Sequence, residues 1–139
     1  MSAMELTVVH LDPSRDAMEC VTPAGVTMRF DNPDTGNSGA SPMEHLLAAL
    51  GACALVDVGI VLRKKRLTFR DLRVMCVGDR REGAYPRVFT GVKLRFEVGG
   101  PVPKTAFDEA VKLSVEKYCS AAGTVREGAA VSFDAVVVD

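Results

Sequence analysis

SPMEHLLAALGACALVDVGIVLRKKR, residues 41–66, reads as one helix with both ends specified. Ser41 and Glu44 have the spacing of a capping box, in which each side chain satisfies the other residue's backbone N–H. Pro42 takes the first helical position, where its missing N–H costs nothing. Arg63, Lys64, Lys65 and Arg66 fall at the negative end of the helix dipole, so the helix is predicted to run to about Arg66. Between these ends, residues 46–62 hold a single charge, Asp57.

At 1.5 Å per residue such a helix is about 35 Å long. It is apolar on nearly every side and has to be surrounded. As a membrane span it is slightly short and has an acid at its centre, which favours a buried helix and no membrane partner. A chain of 139 residues can hardly wrap it alone. Ala48, Gly51, Ala52 and Gly59 let another backbone come close. An intertwined homodimer is therefore expected, because symmetric pairing buries the remaining face.

Outward from the helix, the preceding stretch DNPDTGNSGASP is a loop by composition. Before it, residues 4–11, 17–21 and 26–31 read as short strands separated by DPSRD and TPAG. In the third, Val26, Met28 and Phe30 share one face and Thr27 and Arg29 the other. After the helix, DLRVMCVGD and RVFTGVKLRFEV read as two longer strands. Val92, Leu94, Phe96 and Val98 there alternate with charged residues, the pattern of a sheet wet on one face. Residues 103–118 form an amphipathic helix, a turn or helix starts at Ser120, and AAVSFDAVVVD closes the chain as a strand. The order βββ-α-ββ-α-β is an α+β pattern. With no internal repeat or linker, residues 1–139 are expected to form one domain.

The 17 basic and 18 acidic residues nearly cancel. This removes the electrostatic footprint of a nucleic-acid binder. The N-terminal MSAMELTVVH has no basic region followed by an apolar stretch, so a cytoplasmic location is expected. There the cysteines, Cys20, Cys53, Cys76 and Cys119, are kept reduced. His10 and His45 have no ligand spacing with any cysteine, so a structural zinc site has no support, a metal held through carboxylates stays open, and no cofactor is called for. There is no GxGxxG, no GxxxxGK[ST] and no GxSxG elbow.

The remaining chemistry is sulfur. Cys76 shares the apolar face of its strand with Leu72 and Val74, and Cys20 shares a face with Met18, both as core residues. By composition alone Cys53 is equally a buried hydrophobe. Cys119 differs, because it lies where one helix ends and the next turn starts. Amide dipoles there are expected to lower a thiol pKa.

Three stretches, SPMEHLLAALGACALVDVGIVLRKK, YPRVFTGVKLRFEV and VEKYCSAAGTVREGA, resemble the OsmC/Ohr superfamily along nearly the whole chain. A cysteine inside the first long helix and a second in KYCS recur in that family in this order. The resemblance implies an OsmC-like fold: an intertwined homodimer with two long central helices per subunit, wrapped by antiparallel β-sheets. It also implies a thiol peroxidase acting on organic hydroperoxides and recycled by a dithiol reductant. Cys53 would be oxidised to a sulfenic acid and Cys119 would resolve it as a disulfide.

The better-characterised members also use a glutamate and an arginine. Here the glutamate's position is Met43, with Glu44 one place later. At about 100° per residue Glu44 falls on the opposite side of the helix from Cys53, so its capping role explains it better. Arg15 and Arg29 are the candidate arginines of the N-terminal strands. Asp57, four residues after Cys53 on nearly the same face, opposes a thiolate unless neutralised. A proton, a cation or a branch-specific acid role all remain open for it. Met43 also motivates an alternative reading, a dimeric binding module for a small apolar ligand with weak or no peroxidase activity.

Overall fold

The structure, a computed structural model, describes residues 3–132 and 134–138. It falls into two compact units, one up to Ala48 and one from Ala49 onward. Both sheets are antiparallel, and the chain has the mixed α+β character its sequence pattern predicts.

In the first unit, β1 (Val8–His10), β2 (Met18–Val21) and β3 (Thr27–Phe30) form a sheet in sequence order. Cys20 pairs with Val8 on one side and Met28 on the other and is buried, as a small hydrophobe in a strand centre should be. The loop after β3 is organised by Asp31, which is 1% exposed. Its carboxylate accepts from the Ser38 hydroxyl at 2.7 Å, the Ser38 amide at 2.8 Å, the Asn32 amide at 2.8 Å and Arg15 at 3.0 Å. These bonds hold the carboxyl well below its usual range, at about 2, with the Ser38 hydroxyl as the largest cause.

The helix α1 spans Pro42–Lys64. Its capping box forms as predicted: the Ser41 amide donates to Glu44 Oε1 at 2.9 Å and the Glu44 amide to Ser41 Oγ at 3.2 Å. At the other end Arg66 adopts a left-handed conformation, with φ 59°. The Leu67 amide reaches back to the Leu62 carbonyl and the Arg66 amide to that of Arg63. This is a Schellman closure, and it stops the helix just before the predicted Arg66. Leu67 then packs beside buried Leu62.

In the second unit, β4 (Asp71–Arg80) and β5 (Phe89–Gly99) form a two-stranded sheet. Its inward residues meet the face of α1 that repeats every four residues through Leu50, Ala54, Val58 and Leu62. The first longer element after the sheet is α2 (Lys104–Leu113), which continues as a π-helical turn, Ser114–Tyr118. Next comes α3 (Ser120–Glu127), so the predicted helix over 103–118 is present with a widened last turn.

α1 is long and apolar enough to cross a bilayer, yet one face of it is core. β4 approaches closely at Gly51, where a Cβ would collide with the Cys76 sulfur. That small residue serves a contact within the chain. Val56 and Ile60, on the other side of α1, remain 59% and 38% exposed.

One expectation is corrected. No strand forms over AAVSFDAVVVD among the described residues, and Phe133 and Asp139 lie outside them. The segment alternates like a strand, but a strand needs a hydrogen-bonding edge beside it. Among the described residues neither sheet pairs with this segment.

Candidate functional site

Cys53 lies three turns into α1, and Asp57 follows one turn later on the same side. Cys119 arrives from the helical stretch that packs across α1, at the joint where the π turn ends and α3 begins. Two bonds fix that joint. Ser114, fully buried, donates its hydroxyl to the Ala54 carbonyl at 2.7 Å. The Cys119 amide reaches back five residues to the Ser114 carbonyl at 2.7 Å. The π turn thus places Cys119 beside the turn of α1 that carries Cys53.

The result is a cluster of three donor atoms, Cys53 Sγ, Cys119 Sγ and an Asp57 oxygen, all within 4.8 Å of one another. Cys119 is 3% exposed, and Cys53 and Asp57 are half-buried. Cys53 and Asp57 stand four residues apart on α1, while Cys119 is distant in the sequence. Only the crossing of two helices assembles them.

Cys119 also caps α3: its sulfur accepts from the Ala122 amide at 3.3 Å. The expected lowering of its pKa does not follow. Burial pushes the thiol above its ordinary value of 9.0 and outweighs the Ala122 amide. The neighbouring Cys53 thiol raises it further. Cys119 is therefore held as a protonated thiol beside Cys53. Both cysteines are free thiols.

A groove of about 760 Å³ adjoins the pair, lined by Leu50, Val92, Leu94, Phe96, Val125 and others. Leu50, Val92, Leu94 and Phe96 also pack in the cluster that contains Cys53 and Cys119. The groove and the sulfur pair thus share part of their apolar packing, although neither sulfur lines the groove and Asp108, Lys112, Glu116 and Arg126 also border it.

The other predicted residues have local partners in the first unit. Glu44 is occupied by Ser41, whose amide is the main cause of its lowered pKa. Arg29 pairs with Glu19 at 3.4 Å, and its carbonyl bonds the His45 ring at 2.7 Å. Arg15 is engaged by Asp31 and Ser38, with its Nε buried and unpartnered.

The model of the OsmC-like protein family matches residues 35–134. This chain belongs to that family. A structure of a hypothetical protein from Aquifex aeolicus VF5 is 32% identical to this OsmC-like chain and superposes with a TM-score of 0.79, covering 92% of this chain and 90% of that one. Protein YhfA of Escherichia coli K12 is 43% identical over 90 residues. That match spans 64% of this OsmC-like chain and 66% of YhfA's length. The organic hydroperoxide resistance protein OhrB of Bacillus subtilis superposes with a TM-score of 0.63 at 17% identity, over 91% of this chain and 94% of that one, a likeness of fold.

Proposed function

We propose that this OsmC-like protein is a thiol-dependent peroxidase for organic hydroperoxides, working as a homodimer through Cys53 and Cys119. The observation that carries the reading is the sulfur pair, held within 4.8 Å by two helices beside an apolar groove. The Cys53 thiolate attacks the outer oxygen of the hydroperoxide and the O–O bond breaks. The departing alkoxide takes a proton and leaves as the alcohol, and Cys53 becomes a sulfenic acid. The Cys119 sulfur then attacks the Cys53 sulfur. The S–O bond breaks, water leaves with the Cys119 proton, and the disulfide closes. An external dithiol returns the two electrons.

In this scheme Asp57 takes the Cys53 proton and passes it to the alkoxide. Glu44 caps α1 and Arg29 pairs with Glu19, so neither is assigned to the chemistry. The raised pKa of Cys119 fits the resolving role, because a protonated Cys119 leaves Cys53 as the attacking sulfur.

The test is consumption of an alkyl hydroperoxide with a dithiol reductant. Cys53→Ser should abolish it. Cys119→Ser should stop at a Cys53 sulfenic acid that a sulfenate-trapping dione captures. A Cys53→Ser protein as fast as wild type overturns the assignment.

The apolar groove favours a second reading, a dimeric module that binds a small apolar ligand without efficient peroxide chemistry. It prevails if no sulfenate forms with peroxide, Cys53 resists alkylation at neutral pH, and an apolar ligand copurifies with the protein.

A further inference from the structure

Asp57 adds a third donor group to the sulfur pair. Its carboxylate lies within 4.8 Å of both sulfurs, half-buried. Among the described residues it has no ion-pair partner. A carboxylate beside a thiolate is mutually repulsive unless a positive charge lies between them. A metal ion that displaces the two thiol protons satisfies all three groups at once.

We infer that Cys53, Asp57 and Cys119 form a zinc site in the reduced protein, with one position left open to water or an added thiol. Zinc bonds of about 2.3 Å to sulfur and about 2.0 Å to oxygen place tetrahedral ligands about 3.5–3.8 Å apart. Donor atoms that already lie within 4.8 Å of each other need to close by no more than about 1.3 Å. Two sulfurs disfavour magnesium and calcium, and a carboxylate with two thiolates suits zinc. Three protein ligands and an open fourth position are the pattern of zinc sites that exchange a ligand.

The surroundings support the ligands as outer-shell groups do. The Ala122 amide donates to the Cys119 sulfur at 3.3 Å, which steadies a thiolate. The Ser114 hydroxyl, bonded to the Ala54 carbonyl, fixes the joint that carries Cys119 against α1. Cys53 and Asp57, one helical turn apart, need no loop movement to share an ion.

Zinc binding and disulfide formation then compete for the same two sulfurs. The site does not depend on the peroxidase reading, since it requires only reduced thiols and a carboxylate.

The experiment uses the full-length, reduced protein under anaerobic conditions, with no peroxide present. Zinc is titrated against a chromogenic chelator, and cobalt(II) is added in parallel for its spectrum. One zinc per chain and a sulfur-to-cobalt charge-transfer band are expected. Asp57→Asn, a near-isosteric change, should weaken zinc by about tenfold or more, since even outer-shell losses cost that much. Cys119→Ser, which keeps a cap for α3, should weaken it further and reduce the charge-transfer band. Cys76→Ser should bind like wild type. Oxidation to the disulfide should release the metal. No binding at micromolar zinc, wild-type affinity in Asp57→Asn, or loss of binding in Cys76→Ser overturns the site. Zinc binding without hydroperoxide consumption would leave this site standing and remove the peroxidase reading, and the reverse result would do the opposite.

Discussion

At the scale of single residues, two titratable groups carry pH dependence of opposite sign. The folded state raises the Cys119 pKa above its ordinary 9.0, so it favours the protonated thiol. The resulting stability is fully present below that value and is lost as pH rises through the higher folded value. Wild type should therefore lose stability more steeply than Cys119→Ser above pH 9.0, as read from denaturant midpoints. Asp31 behaves in the opposite way, depressed from 3.8 to about 2 by Ser38, Asn32 and Arg15. Its contribution is complete above 3.8 and disappears as pH falls towards about 2. Asp31→Asn should lower the midpoint at neutral pH and flatten its dependence across that acid window. An Asn variant with the same acid slope as wild type would show that Asp31 does not carry it.

At the scale of elements, the tightest constraint is the approach of β4 to α1. Alanine is the better helix former, so on propensity alone Gly51→Ala should stabilise α1 by about 1 kcal/mol. The added methyl would meet the Cys76 sulfur, with Val74 Cγ1 at 3.3 Å on its other side. Overpacking of that kind costs about 1–3 kcal/mol. The collision wins, and Gly51→Ala should be destabilising in urea titration. Adding Cys76→Ala should recover most of the loss, because the obstructing sulfur is gone. A single mutant as stable as wild type would mean that the strand moves away freely.

At the scale of the whole molecule, much apolar surface is left uncovered. Val56 and Ile60 on α1 and Val125 on α3 are exposed, as are Val131, Val136, Val137 and Val138. Isolated exposed apolar residues are ordinary, but those of α1 continue a helix that is apolar all round. A second copy of the chain is the economical cover for such a face. Sedimentation equilibrium should give the mass of two chains, and Val56→Glu should shift it toward one. A single-chain mass at micromolar concentration would remove the homodimer.

Local patterns in the sequence determined most of the elements. The capping box at Ser41 and Glu44 started α1, the alternation in β4 and β5 gave a sheet with one buried face, and the breaks between strands lay near their predicted places. These signals are legible because each acts over a few residues, through backbone hydrogen bonds or a repeating face. The family was readable for a related reason, since its two cysteines stand in recognisable local stretches. The tertiary structure alone decided the rest. It made Cys119 a poor acid by burying it, brought Asp57 to the sulfurs, and engaged Arg15, Arg29 and Glu44 with local partners. The strand expected after Gly128 did not form among the described residues, because alternation supplies a face but not a neighbouring edge. Burial, charge proximity and strand pairing depend on which distant segments meet, and no window of sequence contains both partners.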